Sequence, residues 1–202
     1  MFSGTQFSLY PMTADFVPAI MRGIAALDAY KDQVRRETDD LSTLMVGPPD
    51  TIVRAMRDAF IATASKGDHV VLSATLSRGC PGESDDPICS AEAIPPMKDG
   101  EDLVATSLAR YAPGKLSGVA ASAQISLYPL GTEAHMARIG ACIDFLKRAK
   151  VFDRSKNFCT KLRGDASEVF AAIERSYLDF APANAHVVLT ITVSANSPSN
   201  KS

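Results

Sequence analysis

Gln6-Phe7-Ser8-Leu9-Tyr10-Pro11-Met12 returns with light changes as Gln124-Ile125-Ser126-Leu127-Tyr128-Pro129-Leu130. His69-Val70-Val71-Leu72-Ser73-Ala74-Thr75-Leu76-Ser77 returns as His186-Val187-Val188-Leu189-Thr190-Ile191-Thr192-Val193-Ser194. The first pair lies 118 residues apart (Gln6 to Gln124) and the second 117 (His69 to His186). Both ends of one unit therefore recur, with a single residue of length difference between them. Two copies of one supersecondary unit are the reading this spacing supports. The copies also keep polar strand positions that folding alone does not demand, so the repeat bears on function as well as fold.

A chain of 202 residues accommodates two small domains. The repeat divides it into residues 1–82, a connector over 83–118, and residues 119–202. The formal net charge is -2, and no block of like charges occurs. Nucleic-acid binding, which needs a basic patch, loses ground accordingly. No apolar run reaches the length needed to cross a bilayer. Met1-Phe2-Ser3-Gly4 leads straight into the first motif without a charged and then apolar leader, so a cytoplasmic location is expected. Cys80, Cys89, Cys142 and Cys159 show neither a C-x-x-C nor paired metal spacing; thiols in a reducing compartment are expected, and no metal.

Within the first unit, Gln6 to Tyr10 alternates polar and apolar as a strand does, and Pro11 ends it. Thr13 is placed to cap a helix with Asp15 in its first turn, and Val17, Ile20, Ile24 and Leu27 recur at helical spacing. Leu41 to Val46 reads as a short strand that Gly47-Pro48-Pro49 breaks. A second helix follows on Ile52, Val53, Met56 and Phe60, matched by Val169, Phe170, Ile173 and Tyr177. The order β-α-β-β-α-β is the ferredoxin-like split motif. The expected class is α+β: tandem ferredoxin-like (ACT-like) repeats whose antiparallel sheets carry helices on one face. The connector, rich in acid, Pro, Gly and Ser, is expected to hold a short helix near Asp102 to Ala109.

Strand alternation sorts the remaining side chains. Gln6, Ser8 and Tyr10 point away from the helices, as do His69, Val71, Ser73, Thr75 and Ser77. In the second unit the same face carries Gln124, Ser126 and Tyr128, then His186, Val188, Thr190, Thr192 and Ser194. A face washed by water normally includes Lys, Glu or Arg, and a dry one is Val, Ile and Leu. Hydroxyls, amides and a phenol lie between these extremes and suit a partly shielded cleft for a small ligand. The competing reading is that this face packs against the other unit's sheet or a second subunit.

The stretch from Ser8 to Phe16, the Leu41 to Thr43 stretch, the Gly79-Cys80-Pro81-Gly82 run and the closing Ser194 to Ser199 together resemble the YkoF family of thiamine/hydroxymethylpyrimidine-binding proteins. The resemblance covers both units and weakens only in the connector. It implies paired ACT-like domains, a homodimer, non-catalytic binding of thiamine or its pyrimidine precursor, and a place beside vitamin transport or salvage. No other cofactor is implied.

An aminopyrimidine offers ring-nitrogen acceptors and an amine donor to hydroxyl and amide groups. Thiamine adds a permanent positive charge that a carboxylate or aromatic face favours. The candidate ligand-binding residues are Gln6, Ser8, Tyr10, Asp15, Asp39, Ser42, Thr43 and Thr75 in the first unit. In the second they are Gln124, Ser126, Tyr128, Thr160 and Thr192. Asp39 and Asp40 give way to Lys156 and Asn157, Ser42 to Cys159, and Leu44 and Val46 to Lys161 and Arg163, so the two pockets are expected to differ. His69 and His186 are read as strand-end caps, since His135 is the only other histidine. The pairs Asp39-Asp40 and Asp85-Asp86 are read as solvated turns. Two rival functions remain: a regulatory ACT-like module sensing another metabolite, and an enzyme on this common fold, for which no activated nucleophile or phosphate loop is visible.

Overall fold

The computed structural model describes residues 3–79, 102–182 and 185–201. Cys80, Cys89, the end of the Gly-Cys-Pro-Gly run, the Asp85-Asp86 pair and most of the connector lie outside the described residues. The first unit runs β1 (Ser3–Pro11), α1 (Phe16–Leu27), β2 (Arg35–Thr38), β3 (Thr43–Val46), α2 (Pro49–Ala64) and β4 (Val70–Arg78). A connector helix α3 (Leu103–Arg110) precedes β5 (Ala120–Pro129), α4 (His135–Arg148), β6 (Phe152–Ser155), β7 (Thr160–Asp165), α5 (Ala166–Asp179) and β8 (Val187–Ala195). Two ferredoxin-like repeats are therefore present, as the periodicity predicts.

The two sheets meet edge to edge. Strand β4 pairs antiparallel with β8 from Val70↔Ala195 to Arg78↔Val187, giving one eight-stranded sheet of order β2-β3-β1-β4-β8-β5-β7-β6. Ala74 pairs with Ile191, its own repeat equivalent, so a pseudo-two-fold axis passes through that pair. The outer face of one unit consequently cannot pack on the sheet of the other within the chain. The helices cover the opposite face, where Phe7, Leu72, Leu76, Ile125, Leu189 and Val193 are buried beneath them. Helices α2 and α5 touch across the axis, with Phe60 and Phe170 ring centroids 5.6 Å apart. The buried residues of both units form one cluster.

Polar side chains lock this seam. Arg78, at the end of β4, is 1% exposed and donates from Nε to Tyr177 O (3.3 Å), from Nη2 to Leu178 O (3.3 Å) and from Nη1 to Pro182 O (3.5 Å). These carbonyls belong to the last turn of α5 and the chain just beyond it, where helical carbonyls have no partner of their own. Asn196, in the left-handed region at φ 54, donates from Nδ2 to Ala64 O and Asp68 O and ties the second unit's tail to the first. His69 and His186 do more than end strands: His69 Nε2 lies 3.1 Å from Ser194 Oγ, and His186 Nε2 lies 3.1 Å from Ser77 Oγ. Each histidine therefore bridges to the other repeat.

Local chemistry departs from the sequence reading at α1. Thr13 does not cap the helix; Asp15 occupies the cap position without a side-chain cap bond, and Thr13 Oγ1 accepts from Asp15 N at 3.3 Å. Pro18 falls in the first turn, where its missing N–H costs nothing. The cap of α4 is Ala134, so one extra residue precedes this helix and Glu133 is not the spatial equivalent of Asp15. The expected connector helix forms, with Asp102 Oδ1 accepting from Val104 N and Ala105 N. Asp165 heads α5 in a capping box and also accepts from Ser117 N and Oγ and from Gly118 N, pinning the connector's end to β7.

Candidate functional site

Strand β1 outruns its neighbour. β3 pairs only with Gly4 to Phe7, so from Ser8 onward β1 has β4 on one side and, among the described residues, no strand on the other. The short β3 follows from the Asp39 turn: Asp39 Oδ1 accepts from Leu41 N and Ser42 N at 2.8 Å each, closing the β2–β3 hairpin early. The hairpin tip then folds against the free edge, where Ser8 Oγ donates to Leu41 O at 2.7 Å. The same two N–H donors, from Ser42 and Leu41, hold the Asp39 carboxyl below its ordinary range.

A cleft of about 240 Å³ opens between this edge, α1 and the hairpin tip. Phe7, Leu9, Ile20, Ile24 and Leu27 give it an apolar floor, while Ser8, Thr38, Asp39, Asp40, Ser42 and Thr43 supply hydroxyls and carboxylates. Gly23 lines it too; a Cβ there would stand 2.3 Å from Thr63 Oγ1 and 3.3 Å from Leu9 Cδ1, so glycine lets α1 lie down on α2. Tyr10 stands at the mouth, 52% exposed, and Leu41 at the tip is 77% exposed. The volume is near the small end of ligand pockets, which start at about 300 Å³. It suits one planar ring in contact with the floor, its polar edge toward the hydroxyls. An unpaired strand edge adds alternating N–H and C=O groups.

Of the first-unit residues predicted from sequence, the fold brings Ser8, Tyr10, Asp39, Ser42 and Thr43 to this cleft. Thr43 faces the helix side, opposite Phe7, and shares a hydrogen bond with Thr38 Oγ1 at 3.0 Å. Gln6 and Thr75 pair with each other on the open outer face, and Asp15 caps α1 outside the lining. Ile20, Ile24 and Leu27 read in the sequence as plain core, and their helical spacing does not mark them as a cleft floor; Gly23 reports the close approach of α1 to α2 instead.

The second unit repeats the scaffold with other chemistry. β7 pairs only with Ala120 to Ile125, and Ser126 Oγ donates to Phe158 O at 2.8 Å, as Ser8 does to Leu41. Tyr128 is again half exposed, and Phe158 at the hairpin tip is 91% exposed. Lys156 replaces the turn-forming Asp39, and buried Cys142 takes the helix position that Gly23 holds in α1. Burial pushes the Cys142 thiol up to about 12 despite the opposing hydrogen-bond contact with Ser176. Thr160 starts β7 opposite Ile125, while Gln124 and Thr192 lie on the outer face of the sheet. Among the described residues no group of three or more His, Cys, Asp or Glu is placed to hold a metal, and no helix is long and apolar enough to cross a membrane.

Comparison with known proteins finds the unit duplicated as well. The family model described as "YKOF-related Family" matches residues 2–83 and again residues 120–200. A protein of Bacillus subtilis (strain 168) named "Putative HMP/thiamine-binding protein YkoF" is 30% identical over 201 residues, covering 98% of this chain and 92% of the relative.

Proposed function

This chain belongs to the YKOF-related family, and on that premise we propose that it is a non-catalytic binding protein for thiamine or its hydroxymethylpyrimidine (HMP) precursor, with the cleft of the first unit as its principal site. The observation that carries this reading is the convergence of Ser8, Tyr10, Asp39, Ser42 and Thr43 on one small, apolar-floored cleft beside an unpaired strand edge. The pyrimidine ring rests on Ile20, Ile24 and Leu27. Its amine and ring nitrogens exchange hydrogen bonds with the hydroxyls and the strand edge, which offer donors and acceptors alike. Tyr10 supplies a flat surface at the mouth. The thiazolium of thiamine extends toward the exposed Asp39 and Asp40 carboxylates.

The name of the B. subtilis relative supports the ligand class. Because Lys156 and Cys142 stand where Asp39 and Gly23 stand in the first unit, the second unit is the weaker site for a cation. A homodimer, a cytoplasmic location and a place beside vitamin uptake or salvage complete the reading.

Titration calorimetry with HMP and thiamine tests it. Saturable binding of both is expected, with Asp39→Asn weakening thiamine and sparing neutral HMP. Two thiamine sites of equal strength would contradict the assignment of unequal units. Stabilisation by an amino acid, with thiamine and HMP inert in the same thermal-shift series, would favour a sensor of another metabolite instead.

A further inference from the structure

The outer face of the sheet holds a second cavity, of about 230 Å³, lined by Ser122, Ala123, Gln124, Lys156, Lys161, Thr192 and Ser194. It lies over β5, β7 and β8, on the side away from the helices. Its lining contains two ammonium groups, three hydroxyls and an amide, and no carboxylate. Lys156 Nζ reaches Gln124 Oε1 at 3.5 Å, and Lys161 Nζ is paired with Asp153 Oδ2 at 2.8 Å. Ser194 Oγ is held by His69 Nε2. The Ser122 oxygen is buried and finds no hydrogen-bond partner among the described residues, which is unusual for a hydroxyl and leaves a donor for an incoming acceptor. Two more cations share the face: Arg154 is opposite Lys161, and Arg163 is opposite Ser122.

The pseudo-two-fold axis supplies an internal comparison. The equivalent positions of the first unit are Gly4 for Ser122, Asp39 for Lys156, Leu44 for Lys161 and Val46 for Arg163. One scaffold thus carries a basic, hydroxyl-rich hollow in one half and an acidic-to-apolar surface in the other. Folding accepts both sets, so the scaffold does not require the cations. We propose that this hollow binds the phosphoryl group of a small molecule: Lys156 and Lys161 neutralise it, and Ser122 and Thr192 donate to its oxygens. The site is separate from the first-unit cleft and does not rest on the pyrimidine reading, which the HMP titration tests by itself.

The experiment titrates inorganic phosphate and phenyl phosphate, with phenol as the uncharged control, into the full chain and into K156D/K161L, which installs the first unit's residues. Saturable binding of at least one phosphate probe is expected, with no response to phenol and at least a tenfold loss in the variant. HMP affinity at the first-unit cleft, whose lining contains neither lysine, is unchanged by the exchange. Equal affinity for both probes identifies the free ion as sufficient; tighter binding of the ester identifies an esterified ligand. If the double variant loses cooperative unfolding, Lys156→Gln and Lys161→Gln singly carry the same test, each expected to weaken binding at least threefold. No saturable binding by either probe, or binding that ignores both lysines, would overturn the site.

Discussion

Replacing Arg78 by Met tests whether the two repeats are one cooperative body. Methionine keeps the unbranched stem and removes the three donors that reach Tyr177 O, Leu178 O and Pro182 O. The first two bonds are buried and the third is half-buried. An orphaned buried polar group costs about 1–3 kcal/mol. Against this stands the relief of no longer burying a guanidinium, whose charged form burial already disfavours. The stacking of Arg78 over Tyr177, 6.0 Å from the ring centroid, is also lost. The net expectation is a loss of about 2–4 kcal/mol, which in a chain of this size lowers the melting midpoint by roughly 5–15 °C. Urea unfolding followed by far-UV dichroism and by tyrosine fluorescence reads it out. The reasoning requires a lower midpoint, an unchanged slope, and one transition shared by both probes. A loss under about 1 kcal/mol would mean that water replaces the guanidinium and that Arg78 does not hold the seam. Two resolved transitions in the parent protein would refute the shared core.

Three further outcomes follow from the same geometry. Ser8→Ala deletes the bond that holds the hairpin tip to the β1 edge, a bond of about 0.5–1.5 kcal/mol; calorimetry should show HMP affinity falling roughly two- to tenfold, while Ser126→Ala leaves the first-unit site unaffected. For Asp165, burial raises the carboxyl, but hydrogen bonds from Ser117, Ser167 and Gly118 outweigh it and leave a net lowering. Its folded value therefore lies below the unfolded value of about 3.9, so its stabilisation is fully present above that pH and is lost as pH falls through the folded value. Asp165→Ala should cost about 1–2 kcal/mol at pH 7 and flatten the acid limb of the stability curve between roughly pH 5 and 2, measured by urea midpoints. Native-state alkylation mapped by mass spectrometry should label half-exposed Cys159 well before Cys142, whose thiol is buried and pushed up to about 12.

Much of the fold was written in the repeat. Strand alternation in Gln6 to Tyr10 and helical spacing in Ile52 to Phe60 placed the main elements, because each pattern reports one buried face. The edge-to-edge join was legible in principle. β4 and β8 carry Val, Leu, Ser and Thr without the Lys or Pro that protects an exposed edge, which is how a strand flanked on both sides reads. The bridging histidines were visible as a recurrence, but only the antiparallel register sets His69 against Ser194 and His186 against Ser77.

The site was harder. Ser8, Tyr10, Asp39, Ser42 and Thr43 stand out in the sequence as polar groups, yet their meeting depends on β3 stopping opposite Phe7, a register that the hairpin turn sets. The apolar floor is not legible in the sequence, because Ile20 and Ile24 fit a core stripe equally well. The loop preceding α4 is one residue longer than its counterpart, so the 118-residue spacing of the strand motif sets Gly23 against Ala141, whereas the helices themselves set it against Cys142.

The central claim is that the edge cleft of the first unit, rather than the outer face of the sheet, receives the pyrimidine. A crystal structure of the protein grown with saturating HMP tests it most directly. The account predicts ring density between α1 and the hairpin tip, seated on Ile20, Ile24 and Leu27 and within hydrogen-bond distance of Ser8 or Ser42. Density over Gln6 and Thr75 on the outer face, with the cleft empty of ligand, would contradict it.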